Sequence, residues 1–205
     1  MFMKYNEKQI KTAYNDFSQR YLILNSDRIL QHQMYEFLSY LPSDAVILDA
    51  GCGSGRDTDI FAEEGYTVYG IDFSPKMINL AKKHYKGKFL VRDFLNTKFK
   101  AEKFDGVWAN ASLIHLPEDK LILALKEFFR ILKPNGFLFF NVVKGTNKIE
   151  AVEKKNFYEG KLPISFYDKD EITKLILGNG FHIIKTYVET DDTHEWIDLL
   201  CRKRA

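Results

Sequence analysis

The chain has two cysteines in 205 residues, Cys52 and Cys201, too few for a disulfide framework and without the spacing of a metal site. Five histidines add no ligand cluster to them, so no metal is expected. Such usage fits a reducing compartment and excludes a cystine-stapled secreted fold. Long apolar runs are also missing. No segment approaches the roughly 20 apolar residues that span a bilayer, and the opening MFMKYNEKQIK lacks the apolar core of a signal peptide. The expectation is a soluble, cytoplasmic protein with no membrane partner. Nor is one sign of charge in excess. Thirty basic and 28 acidic side chains leave a formal net charge of +2, which makes nucleic acid no obligatory partner. The lysine-rich stretches at 82–88 and 98–103 read as solvated faces or as a local basic patch. Repeats and low-complexity linkers are absent from the sequence as well.

What the chain does have is core-forming material, 45% hydrophobic and 15% aromatic, enough for one domain over 1–205. Runs rich in β-branched and aromatic residues recur at 45–49, 67–72, 88–91, 104–109, 136–143, 181–188 and 195–201. Stretches of helical spacing at 60–64, 76–85 and 121–132 alternate with the first five. The pattern predicts an α/β fold: a doubly wound, mainly parallel seven-stranded sheet closed by an antiparallel C-terminal hairpin. Residues 1–43 read as covering helices, with Ser26 as N-cap of a helix over 26–41. Asp168 with Glu171 forms a capping-box signature for a helix at 169–178, stopped by Gly178 or Gly180. The stretch 144–166 carries few apolar residues and several lysines, and is read as a substrate loop or lid.

The most informative stretch is VILDAGCGSGRDTDIF, residues 46–61. It runs an apolar strand into Asp49 and then places Gly51, Gly53 and Gly55 at alternate positions. An ordinary strand-to-helix turn needs one glycine and seldom three. In a doubly wound sheet this turn is where ligands bind, and bare backbone lets one come close. A dinucleotide loop would read G-x-G-x-x-G, but its third glycine position is Arg56, and no lysine completes a phosphate-cradling loop. A ligand without a pyrophosphate is favoured.

At these residues the chain resembles the class I S-adenosylmethionine-dependent methyltransferases. LDAGCGSG matches the first family motif, and Asp72 in VYGIDFS ends the second strand about 21 residues beyond Gly51. LVRDF, FDGVWANASLIHLP and ILKPNGFLFFNV follow in order, so the likeness covers 45–143. It implies S-adenosyl-L-methionine as cofactor, with Asp72 on the ribose hydroxyls, Asp93 on the adenine amino group, Phe94 on the adenine face, and Asn110 within the backbone bordering the methionine portion. Asp49, Gly51, Cys52, Gly53, Gly55 and Phe73 complete the implied cofactor set. Arg56 either reaches the cofactor carboxylate or faces solvent.

Tyr14, Phe17 and Tyr21 precede the sheet; they either close over the cofactor, whose sulfonium suits aromatic faces, or pack as a covering helix. His115, just past the fourth-strand motif, is the candidate general base, with packing in its loop as the alternative. Lys144 is a weaker candidate for an acidic acceptor group. The implied activity is methyl transfer to a small molecule. A transfer-RNA methyltransferase and a methyltransferase-like module without activity stay open, while the glycine spacing disfavours an NAD-linked oxidoreductase.

Overall fold

The computed structural model describes residues 5–24, 30–146, 148–153, 161–191 and 194–204. Three helices come first: α1 (Glu7–Asp16), α2 (Ser18–Leu24) and α3 (Gln31–Ser39). Strand and helix then alternate through β1 (Val46–Ala50), α4 (Arg56–Glu63), β2 (Thr67–Asp72), α5 (Pro75–His84), β3 (Lys88–Val91), β4 (Phe104–Ala109), α6 (Glu118–Ile131) and β5 (Leu132–Lys144). After them run β6 (Lys148–Glu153), β7 (Lys161–Tyr167), α7 (Lys169–Gly178), β8 (Phe181–Thr190) and β9 (Glu195–Lys203).

β3, β2, β1, β4 and β5 lie in that order and are parallel; β9 pairs antiparallel with β5, and β8 with β9. The seven expected strands therefore form the expected sheet. The central strands β1 and β4 are buried on both faces, as parallel strands between helices require. Ile47, Trp108 and Phe139 point to the side of α3 and α4, where Phe37 and Phe61 pack. Leu48, Val107 and Leu138 point to the side of α6, where Leu121, Leu125 and Phe128 pack. Trp108 is fully buried, stacked on Phe139 at 4.0 Å between ring centroids.

The reading of 144–166 as a loop needs correction. It holds β6 and β7, an antiparallel hairpin that joins β5 in parallel through Val143↔Phe166 and Lys144↔Tyr167. Residues 154–160 lie outside the described residues. β7 is a short run, KLPISFY, inside a lysine-rich stretch, and averaging over the stretch hides it. Leu162, Ile164 and Tyr167 are buried, and the Tyr167 hydroxyl donates to the Leu116 carbonyl at 2.9 Å. β7 is thereby fixed against the loop that follows β4.

The helix expected over 26–41 is described from Gln31, with Leu30 at its cap and no side-chain cap bond. Ser26 lies outside the described residues. α4 begins at Arg56, directly behind Gly55, and takes in most of the helical spacing at 60–64. α7 has the capping box in full: Asp168 Oδ1 accepts from the N–H groups of Asp170 and Glu171 at 2.9 and 2.8 Å, and Glu171 Oε2 accepts from Asp168 N–H at 3.2 Å. Gly180, at φ 91°, turns the chain into β8. Asp168→Ala removes this cap and is expected to cost about 1 kcal/mol, read as a lower urea midpoint at unchanged slope.

Candidate active site

β1, β2 and β4 are neighbours, so the loops after them meet over one end of the sheet. The loop after β1 turns back at once. The N–H groups of Gly51 and Cys52 donate to the Ile71 carbonyl at 2.8 and 2.9 Å, and Gly55 N–H donates to the Cys52 carbonyl at 2.9 Å. Gly51, Gly53 and Gly55 have φ of 81°, 54° and 99°, a region closed to most side chains. Two of the three face a cleft of about 700 Å³, Gly51 and Gly53. Gly55 does not bare main chain to a ligand; a Cβ there would meet Ala81 Cβ at 2.8 Å and the Phe89 ring at 2.9 Å. Its missing side chain seats α5 and β3 against the loop.

Asp72, the last residue of β2, borders the same cleft and is buried. Its Oδ2 accepts from Gly53 N–H at 3.2 Å and its Oδ1 from Ser74 N–H at 2.8 Å. Burial pushes its carboxyl up to about 6, against the pull of those two donors and of Lys11. Phe73, Asp93 and Phe94 border the cleft beside it. Asp93 is held by Leu95 N–H on Oδ1 at 2.8 Å.

Tyr14 and Tyr21 close the cleft on the N-terminal side. The Tyr14 hydroxyl lies 2.9 Å from His115 Nε2, and His115 Nδ1 makes a short hydrogen bond to the Pro163 carbonyl of β7. A carbonyl only accepts, so Nδ1 carries the proton; in the neutral ring Nε2 then accepts from the Tyr14 hydroxyl. Burial pushes the Tyr14 phenol up, with Tyr21 and Asp72 adding to the effect, so it stays protonated. His115 thus both packs in its loop and borders the cleft.

A second cleft, of about 1980 Å³, adjoins the first and shares Tyr14, Tyr21, Gly51, Asn110 and Ala111 with it. Asp49, Cys52 and Arg56 border this one. Asp49 is buried, its carboxyl raised well above the usual range by burial and by the nearby Asp57, and Thr58 Oγ1 donates to it at 2.6 Å. The guanidinium of Arg56 lies on Asp57, both Nε and Nη2 at 2.6 Å from Oδ1, while its side chain borders the second cleft. Lys144 pairs with Glu195 at 3.2 Å.

Several residues of the site escaped the sequence reading. Asp57 receives Trp108 Nε1 at 2.9 Å and Asn110 Nδ2 at 3.0 Å on Oδ2, beside Arg56 on Oδ1. Asn141 of β5 donates to Asn110 Oδ1 at 3.1 Å and accepts Ala111 N–H at 2.6 Å. Gln33 donates to Asp198 at 3.0 Å. The available signal was a polar residue inside an apolar strand: Asn141 in FLFFNVV and Asp198 in WIDLLC. Ser112 Oγ, beside Gly51, is buried with no hydrogen-bond partner among the described residues.

Residues 48–140 match the family described as a methyltransferase domain. The 2-methyl-6-phytyl-1,4-hydroquinone methyltransferase of Synechocystis sp. is 32% identical over 144 residues, 68% of this chain and 41% of that protein. A ubiquinone biosynthesis O-methyltransferase of Histophilus somni is 32% identical over 140 residues, 62% of this chain and 58% of that protein. The chain belongs to the class I S-adenosylmethionine-dependent methyltransferases. It spans about half the length of these two relatives. The fold of this chain is also that of the Burkholderia thailandensis 1,6-didemethyltoxoflavin-N1-methyltransferase, crystallised with 1,6-didemethyltoxoflavin and S-adenosylhomocysteine: TM-score 0.76, 20% identity, covering 100% of this chain and 92% of that one.

S-Adenosyl-L-methionine is the cofactor of the family, and the residues present fit it. Gly51 and Gly53 leave backbone at the cleft, Asp72 offers a carboxylate there, and Ser112 Oγ supplies an unsatisfied polar atom. The buried Asp72 also makes a pH prediction. Its folded pKa, about 6 against an ordinary 3.8, means the folded methyltransferase binds this proton more tightly than the unfolded chain. The associated stability is present below about pH 4 and is lost as pH rises through about 6. Asp72→Asn should therefore gain on the native chain by about 2–3 kcal/mol over that window, read from urea midpoints. Parallel midpoint curves would refute the shift.

Proposed function

We propose that this chain transfers a methyl group from S-adenosyl-L-methionine to a small-molecule acceptor. One observation carries the reading: Asp72, at the end of β2, and Asp93, just beyond the neighbouring β3, border a cleft that shares Gly51, Asn110 and Ala111 with a second, larger one. The first has the lining for a nucleoside and the second has room for an acceptor. When bound, the cofactor supplies a methyl group on a sulfonium, activated for in-line transfer to a nucleophile.

The chain's own residues then hold, orient and exclude water. Asp72 accepts both ribose hydroxyls, while its existing bonds to the N–H groups of Gly53 and Ser74 keep the carboxylate aimed at the cleft. Asp93 takes the adenine amino group, with Phe73 and Phe94 against the base. Cys52, Asp49 and Asn110 border the methionine end, where the two clefts meet. Tyr14 and Tyr21 cover the sulfonium with aromatic faces. His115 is the general base. With Nδ1–H committed to Pro163, its lone pair is on Nε2, and the acceptor takes the place of the Tyr14 hydroxyl. The names of the two relatives, both small-molecule methyltransferases, support a small-molecule acceptor.

Calorimetric titration should show S-adenosylhomocysteine binding and no NAD binding. Asp72→Ala is expected to weaken that binding by about 1.5–3 kcal/mol, the value of hydrogen bonds to a charged group. An affinity unchanged by Asp72→Ala would refute the ribose assignment. His115→Gln should leave S-adenosylhomocysteine affinity in place and slow labelled-methyl transfer about 10²–10⁴-fold once an acceptor is in hand. Full activity in that variant would return His115 to a packing role.

A further inference from the structure

The larger cleft has an acidic lining. Among its described lining residues stand five carboxyl groups, Asp49, Asp57, Glu189, Asp191 and Asp198, of which Asp49 is kept protonated by burial beside Asp57, against one cationic side chain, Arg56. That guanidinium already lies on Asp57. The carboxyl groups come from separate elements, the end of β1, the first turn of α4, the end of β8 and the loop beyond it, and the middle of β9. Only the folded sheet brings them to one space.

Asp198 is the most telling of them. It is 1% exposed and pairs in register with Asn141 of β5; burial pushes its carboxyl up, against the smaller downward pull of the Asn141 amide. The Gln33 amide from α3 donates to it at 3.0 Å. Burying a carboxyl between Ile197 and Leu199 is costly, and two neutral amides offset only part of that cost. A cation arriving from the cleft side would supply the missing charge. Tyr14, Tyr21 and Trp196 add aromatic faces to the same space, a second feature suited to a cation.

We infer that the methyl acceptor is a small organic molecule carrying an amine that is cationic at neutral pH: the ammonium is the group recognised over the Asp198, Gln33 and Asn141 floor, its body lies against Tyr14, Tyr21 and Trp196, and the atom that takes the methyl is a separate nucleophile with a free lone pair. The inference rests on the methyltransferase reading above and adds the acceptor's chemical class to it. A polyanionic acceptor such as transfer RNA meets the wrong sign of charge here.

The test uses the full chain, with and without saturating S-adenosylhomocysteine. Tryptamine, tyramine and phenethylamine are titrated beside their anionic counterparts indole-3-acetate, 4-hydroxyphenylacetate and phenylacetate, with binding read by ligand-observed NMR. The amines are expected to bind at least about tenfold more tightly than the matched carboxylates. Asp198→Asn and, independently, the exposed Glu189→Gln should each narrow that preference while S-adenosylhomocysteine affinity stays within about twofold. Glu189→Gln keeps the test valid if Asp198→Asn does not fold. Equal binding, a preference for the carboxylates, no binding of any amine, or a preference untouched by Glu189→Gln would overturn the inference. A chain that fails to bind S-adenosylhomocysteine would instead overturn the methyltransferase reading, so the two failures are distinct.

Discussion

The carboxylate of Asp57 is the junction on which the site is built. It collects the guanidinium of Arg56, the indole N–H of Trp108 and the amide of Asn110, and so pins the first turn of α4 to the end of β4. Trp108 is itself clamped by Phe37, Phe61 and Phe139, so the junction is tied to one face of the core. Removing one partner from such a buried charged group commonly costs about 3–5 kcal/mol, which makes the arrangement close to all-or-none. Asn110 and Ala111, held by Asp57 and Asn141, form the boundary between the two clefts. The relative position of the two clefts thus follows from one buried charge.

Acids recur around that boundary in graded environments. Asp72 keeps backbone donors on both oxygens, Asp57 has an arginine, and Asp49 has a threonine hydroxyl and a neighbouring acid. In Asp49 and Asp72 burial raises the carboxyl against hydrogen bonds that lower it, and the two balances differ. The proposed cofactor carries its cation at the reacting sulfur and the proposed acceptor carries one at the group by which it is recognised, and both meet these acids.

Much of the fold was legible because β1 to β5 are local, near-continuous apolar runs separated by helical periods. Asp72, Asp93 and the glycine loop were legible for a related reason: each lies at a strand end, which sequence marks directly. Gly55 shows the limit of that marking, because a glycine that makes room for Ala81 and Phe89 looks in sequence like one that makes room for a ligand. β7 was missed because its run is short and its buried Leu162 and Ile164 pack in clusters with Met77, Ile114 and Val143, distant in the chain. Asp198, Asn141 and Gln33 meet only through the β5–β9 register and the docking of α3, and no local pattern encodes either.

The helix α1 is fastened across the site at three widely separated points. Tyr14 reaches His115, Asn15 accepts from the Ser74 hydroxyl at 2.8 Å, and Gln9 donates to the Lys161 carbonyl at 3.3 Å. Beneath it lies only a small apolar cluster of Ala13, Phe17, Met77 and Leu162. Such a strap peels away more cheaply than any strand of the sheet. On the proposed function, the spent nucleoside leaves when the strap lifts, and the pace of the whole cycle can be governed by an unfastening that involves no bond to carbon.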